Sequence, residues 1–205
     1  MNYLAHLFLA RQSPDSQFGN LLGDFRRGAD LSLYSKEVLH GLDNHYLVDR
    51  FTDSHPEVKA AKACFESSRR RFAPVALDVL FDHFLIRHWH TFAEDDFADF
   101  RARSYRMLES KLDTMPTRMQ QVVTRMTAND GLAGYRDLSG VAGALHFLAG
   151  RIRFANQFEH SIRDIETHYD TLENVFLSFF PDLLSQVITE DREAGRFAYR
   201  GAAEG

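Results

Sequence analysis

The sequence predicts an all-α fold, and three observations carry that expectation. Apolar residues recur at helical spacing through nearly every segment. No series of alternating β-branched runs joined by hairpin turns appears. All five prolines fall where one periodic segment gives way to the next. At 205 residues, 44% of them hydrophobic, the chain is long enough for one well-buried core, and no change of composition marks a second unit. A single helical domain over 1–205 is expected, with a frayed tail over 197–205.

Along the chain, Ser13-Pro14-Asp15-Ser16 offers a turn and caps before a segment holding Gly19 to Phe25, and Gly28 offers a stop. The next helix runs through His45 to Asp53, where Ser54-His55-Pro56 breaks it. Another begins near Pro56, and Pro74 opens an apolar one. Phe97, Phe100, Leu108 and Leu112 keep helical spacing up to Pro116, a further helix fills 117–127, and Asn129-Asp130-Gly131 marks a loop. Val141, Leu145 and Leu148 stripe the next helix. Phe158, Ile162, Ile165, Tyr169, Leu172, Phe176 and Phe179 stripe a long one expected to end at Pro181.

Composition excludes several functions. A formal net charge of −5 argues against a broad cationic nucleic-acid surface, although local basic clusters remain. The single Cys64 rules out an intrachain disulfide and a cysteine-based zinc site, and fits a reducing cytoplasm. The apolar run of Met1 to Ala10 is short, interrupted by His6 and without a basic leader, so it reads as mature protein. No apolar stretch approaches the roughly 20 residues that cross a bilayer. A cytoplasmic protein with neither membrane nor nucleic acid as partner is expected.

Two segments point to chemistry. Leu77 to Trp89, wound as a helix, is apolar on every side, yet it carries Asp78 and Asp82 four residues apart, with His83 and His88. A carboxylate in such surroundings costs several kcal/mol unless it is paired, hydrogen-bonded or bound to a metal. From Val38 to Asp53, helical spacing puts Val38, Leu42, His45, Tyr46, Asp49 and Asp53 on one stripe, with Asp43, Leu47 and Arg50 pointing away. His and Asp at i, i+4 can meet one ion from adjacent turns. Candidate ligands are therefore His6, Asp24, His45, Asp49, Asp53, Asp78, Asp82, His83 and His88. Any one alone reads more simply as a hydrogen-bonded core or capping group; together on apolar faces they are hard to satisfy without an ion. Imidazole and carboxylate without thiolate suit Mn, Fe, Mg or a catalytic zinc, and the share of oxygen favours Mn.

Other motifs are missing: there is no Gly-x4-Gly-Lys phosphate loop, no His-Glu-x-x-His and no Glu-x-x-His pair. His160 and Asp164 repeat the i, i+4 spacing among charged neighbours and read as a solvated face. His168, beside the stripe residue Tyr169, is a candidate for lining a cleft. Arg26-Arg27 and Arg69-Arg70-Arg71 are the basic clusters, suited either to solvation or to docking a phosphorylated or acidic partner.

Taken in order, Asn2-Tyr3-Leu4-Ala5-His6-Leu7, Gly19-Asn20-Leu21-Leu22-Gly23-Asp24-Phe25 with Gly28, His45-x3-Asp49-x2-Thr52-Asp53, Leu77-Asp78-x3-Asp82-His83-Phe84-Leu85, Arg87-His88-Trp89 and His168-Tyr169-Asp170 resemble the acyl carrier protein phosphodiesterase family. The resemblance covers about residues 1 to 185, with little that is diagnostic between 91 and 155. It implies a multi-helix bundle related to the HD-domain phosphohydrolases. It also implies Mn-dependent hydrolysis of the phosphodiester joining 4′-phosphopantetheine to a serine of holo-acyl carrier protein, giving apo-carrier and 4′-phosphopantetheine. The adjacent acid and imidazole, Asp82-His83, stand in the reverse of the HD order.

On that resemblance His6, Asp24, His45, Asp82 and His83 are expected to hold the divalent metal, Mn2+ first, with Mg2+ or Fe2+ as substitutes. Asp49 and Asp78 orient them as outer carboxylates, and His88 is the general acid for the departing serine oxygen. Arg26 or Arg27 binds phosphate, His168 lines the substrate cleft, and Arg69 to Arg71 meet the acidic helix expected of a carrier protein. The rivals are an HD-like metal phosphohydrolase acting on a nucleotide or other small phosphate ester, and a non-catalytic helical module that binds carrier protein.

Overall fold

The computed structural model describes residues 1–154, 156–193 and 197–198, and among these there are eleven α-helices and no β-strand. In chain order they are α1 (Tyr3–Leu9), α2 (Pro14–Leu22), α3 (Lys36–Ser54), α4 (Pro56–Ala61), α5 (Ala73–Arg87), α6 (Trp89–Phe92), α7 (Phe97–Glu109), α8 (Thr117–Ala128), α9 (Leu138–Ala149), α10 (Ser161–Thr167) and α11 (Tyr169–Glu190). Short 3-10 turns join several of them. Among the described residues no helix is long and apolar enough to cross a membrane.

The apolar α5 forms the middle of the molecule. Its Phe81 and Phe84 pack on Phe176 and Phe179 of α11 with ring centroids 5.6–5.8 Å apart. Phe8 of α1 meets Trp89, Phe100 and Phe180, so that one continuous core runs from the first helix to the last. α2 and α3 cross almost backbone to backbone. A Cβ on Gly19 would lie 2.2 Å from the carbonyl oxygen of Val38, and glycine is what allows that approach.

α1 buries Leu4 through Leu9, but with seven residues it is too short to persist on its own hydrogen bonds. Asn2, at its N-cap, supplies no side-chain bond. The cap comes from α5 instead: Asp82 accepts from the backbone N–H of Leu4 at 3.0 Å and of Ala5 at 2.9 Å. The buried acid is thus compensated by two orphan donors at a helix N-terminus.

Several expectations need correction. The stripe from Phe158 to Phe179 is broken at His168, whose backbone leaves the helical region (ψ 22°), and α11 runs through Pro181 to Glu190. Burial of Leu183, Leu184 and Val187 draws the chain on past the proline, outweighing the lost N–H. Leu47 is buried with the stripe, not turned away from it, whereas Asp53 is exposed. Asp164 is buried, not solvated: it takes a two-pronged ion pair from Arg69, whose Nη2 donates to Oδ1 at 2.8 Å and whose Nε donates to Oδ2. Arg69 also reaches Glu66 at 2.8 Å, so it is a buried structural cation and not part of a docking surface. In the tail, Phe197 and Ala198 are buried, with the Arg11 guanidinium 3.3 Å over the Phe197 ring; the rest of the expected fraying, over 199–205, lies outside the described residues.

Two stability changes follow from these contacts. Arg69→Ala strands Asp164 and should cost about 3 kcal/mol, the low end for breaking a buried pair because this one lies just beneath the surface. Exposed Arg70→Ala should stay within about 0.5 kcal/mol in the same urea titration. Asp82→Ala leaves two buried N–H groups unpaired, each worth about 1–3 kcal/mol, and should lower the urea midpoint without changing the slope.

Candidate metal centre

α1, α3 and α5 bring the acids and imidazoles together. His6 in α1 faces His45 in α3, with ring centroids 4.0 Å apart and planes tilted by 20°. One turn beyond His45, Asp49 places Oδ2 3.1 Å from His45 Nε2 and Oδ1 3.2 Å from His6 Nε2. His6, His45 and Asp49 each offer one ligand atom, all within 4.8 Å of one another. On the α5 side, the Met1 amino group lies 2.9 Å from Asp78 and 3.2 Å from Asp49. Gly23 makes the arrangement possible, because a Cβ there would fall 2.0 Å from Cδ2 of His45. The rim is open: the side chains of Asp49 and Asp78 keep 41% and 35% of their surface accessible.

The hydrogen bonding suits a cation. Nδ1 of His45 lies 2.8 Å from the carbonyl oxygen of Asn20, which can only accept, so Nδ1 carries the proton. Nε2 then turns either a second proton or a lone pair toward Asp49. Both ring nitrogens of His6 are buried; Nδ1 has no hydrogen-bond partner among the described residues, and Nε2 has only Asp49 Oδ1 at 3.2 Å. A buried nitrogen in that state calls for a partner, and a water or an ion at the open rim supplies one.

Electrostatics point the same way. Burial, and then neighbouring His45, push the His6 pKa down to about 3, which keeps it neutral with a lone pair free. Burial alone would lower His45, but Asp49 outweighs it and holds the pKa above the ordinary imidazole value. Asp49 feels burial in the opposite direction, outweighed by His45 and His6, and its carboxyl lies well below the usual range. For the Met1 ammonium, Asp78 and Asp49 overcome burial and raise the pKa to about 11. Burial raises both Asp78 and Asp24, since protein surrounds each carboxyl behind its solvent-facing edge.

The other expected site residues are distributed differently. Asp24 stands at the rim, near enough for its charge to act on His45, and beside Tyr3, a residue the sequence did not single out. Asp49, expected to orient ligands from outside, lies directly in the group. Asp82 is committed to capping α1, and burial pushes its pKa up to about 7 against the pull of the two N–H donors. Both nitrogens of His83 are occupied, Nδ1 by the Tyr135 carbonyl at 2.9 Å and Nε2 by the Tyr169 hydroxyl at 2.8 Å, so it has no free ligand atom. His88 Nε2 meets Glu173 at 2.7 Å, and no contact joins it to His6, His45 or Asp49. His168 sits at the break before α11, without a side-chain hydrogen bond or ion pair among the described residues. Arg26 and Arg27, both exposed, line a cavity of about 560 Å3 with Gly23, Leu31 and Tyr46. Exposed Arg70 and Arg71 remain on the surface after Arg69 turns inward.

A sequence model described as acyl carrier protein phosphodiesterase matches residues 1–183. Proteins named acyl carrier protein phosphodiesterase from Yersinia enterocolitica, Enterobacter sp. and Escherichia coli are 38%, 36% and 35% identical over 187 residues, spanning 91% of this chain and 97% of each relative. No solved structure matches. With its central imidazole and carboxylate group lying within the matched region, the chain belongs to the acyl carrier protein phosphodiesterase family.

Proposed function

We propose that this chain hydrolyses the phosphodiester between 4′-phosphopantetheine and a serine of holo-acyl carrier protein, using a divalent cation held by His6, His45 and Asp49. One observation carries the metal reading: buried His6 stacks on His45, and the Nε2 atoms of both rings converge on the one carboxylate of Asp49, so that three ligand atoms lie within 4.8 Å of one another. The family supplies the substrate. Two imidazoles with nearby carboxylates and no thiolate suit Mn2+, with Mg2+ or Fe2+ as substitutes. When bound, the cation supplies a lowered pKa for water and offsets charge on the non-bridging phosphoryl oxygens.

The chain's own residues do the positioning. Asp49 aligns the two imidazoles, Asp24 is near enough for its charge to act on His45, and Asp78 faces the Met1 ammonium beside the group. Water attacks phosphorus and gives up one proton, the bond to the serine oxygen breaks, and that oxygen takes up one proton, so the proton count is unchanged overall. The products are apo-carrier and 4′-phosphopantetheine. Arg26 and Arg27 hold the phosphate and the start of the arm in the cavity beside Gly23, which adjoins His45. Arg70 and Arg71 face outward toward the acidic carrier. Asp82 and His83 are left out of the chemistry because their polar atoms are engaged elsewhere, and His88 because its Nε2 is held by Glu173 away from His6, His45 and Asp49. A carrier-protein substrate and an unpaired Cys64 favour a cytoplasmic setting.

The deciding experiment incubates the protein with holo-carrier, with and without Mn2+, and reads intact mass. Apo-carrier should form only with the cation, and Asp49→Ala should lose more than the roughly 10–100-fold typical of an outer-shell partner. Full turnover by protein verified to be metal-free would overturn the metal role, and an unchanged carrier would overturn the substrate.

The arginines divide kinetically. Arg26→Ala should lower kcat, since that side chain meets the reacting phosphate, whereas Arg70→Ala with Arg71→Ala should raise KM alone. Added salt should weaken the wild-type reaction more than that double variant, because exposed charges are screened beyond about 10 Å at 0.1 M. An unchanged KM and the same salt response would return both residues to the solvated surface.

A further inference from the structure

Behind the ligand group, where α2 crosses α3, lies a cluster of buried polar side chains that the proposed chemistry does not use. Its centre is Glu193, a carboxylate only 6% exposed that comes from beyond residue 183, where the family match ends. It accepts from the Ser16 hydroxyl at 2.7 Å, from Nδ2 of Asn20 at 2.9 Å and from the Arg11 backbone N–H at 3.2 Å. Its own backbone carbonyl accepts from Nε of Arg11 at 2.8 Å. Room for it exists because Gly41 lacks a Cβ, which would otherwise lie 2.9 Å from Oε1 of Glu193.

The contact with Asn20 is the one that reaches the metal centre. The Asn20 amide is used on both ends: Nδ2 also donates to the Ser16 carbonyl at 3.1 Å, and Oδ1 accepts from Asn44 at 2.9 Å. Asn20 occupies the last turn of α2, where carbonyls lack partners in a regular helix, and its carbonyl is the acceptor for Nδ1 of His45. The tautomer and tilt of that ring therefore depend on where the last turn of α2 sits. A buried carboxylate costs several kcal/mol to keep, so three donors converging on one mark a fixed point in the fold.

Building on the proposed metal centre, we infer that Glu193 is a positioning residue: through Asn20 it sets the carbonyl that holds His45 with Nδ1 protonated and Nε2 turned to the cation. The segment past the family match is thereby part of the centre, though it contributes no ligand. Outer partners that orient a ligating histidine in this way typically change metal affinity by about 10–100-fold when lost.

The test uses the full chain and two readouts, Mn2+ affinity by calorimetry and the ring nitrogen shifts of His45 by NMR. Glu193→Ala should weaken Mn2+ about 10-fold or more and, in metal-free protein at a pH high enough to leave the ring neutral, shift His45 away from the single tautomer protonated at Nδ1. Glu193→Gln keeps an oxygen for Ser16 and Asn20 while giving up the Arg11 contact, and should recover most of both. Arg69→Ala, destabilised through a distant ion pair, should keep wild-type affinity. Should Glu193→Ala not fold, Glu193→Asp, one methylene short of Asn20, should show an intermediate loss. Wild-type affinity and an unmoved His45 in the folded Glu193 variants would overturn the inference. So would a loss in Arg69→Ala matching its loss of stability. If the wild type binds no Mn2+, the metal reading falls by itself, and the His45 shifts alone still decide whether Glu193 positions the ring.

Discussion

Everything near the site hangs on a helix that cannot stand alone. α1 has about two turns and no cap of its own, and the bond that fixes it is the carboxylate of Asp82 reaching across from α5 to two of its N–H groups. That single placement decides where His6 lies against α3 and where the Met1 amine lies against Asp78. Cap and candidate ligand are two features of the same seven residues. One turn along α5, Asp78 and Asp82 divide the labour: one faces an ammonium at the rim, the other holds a helix end in the core.

Around this frame the charges are arranged against one another. Asp49 is drawn strongly toward its ionised form by two imidazoles and an ammonium, while Asp24 and Asp78 are pushed toward protonation by the protein packed behind them. His6 stays neutral because burial dominates its surroundings, and His45 is held toward its charged form because Asp49 dominates its own. Two stacked histidines thus differ in protonation through environment alone, the arrangement in which a single cation can replace one proton and satisfy one lone pair.

The all-helical fold and most joints between helices were legible because periodicity, prolines and caps are local signals. Pro181 and His168 misled for the opposite reason: whether a helix crosses a proline or breaks before one depends on burial by distant helices. The site was legible as a demand. Asp78, Asp82, His6 and His45 each announced a buried polar group needing a partner, but sequence does not say which partner. Asp82 found two backbone amides, and His83 a carbonyl and a hydroxyl. Arg69 found Asp164, 95 residues away, which no charge run could reveal. Asp49 lies within the group of candidate ligands rather than outside it, and the close approach of α2 to α3 there needs Gly19 and Gly23, whose significance lies in contacts they permit rather than in groups they carry.

The open rim has a consequence for what can be cut. In the proposed substrate the scissile bond is at the root of the arm, against the surface of a folded protein, and a deep pit would admit the tip of such an arm but never its base. A centre whose carboxylates still touch solvent at 41% and 35% of their surface is shallow enough for two globular bodies to meet face to face over it.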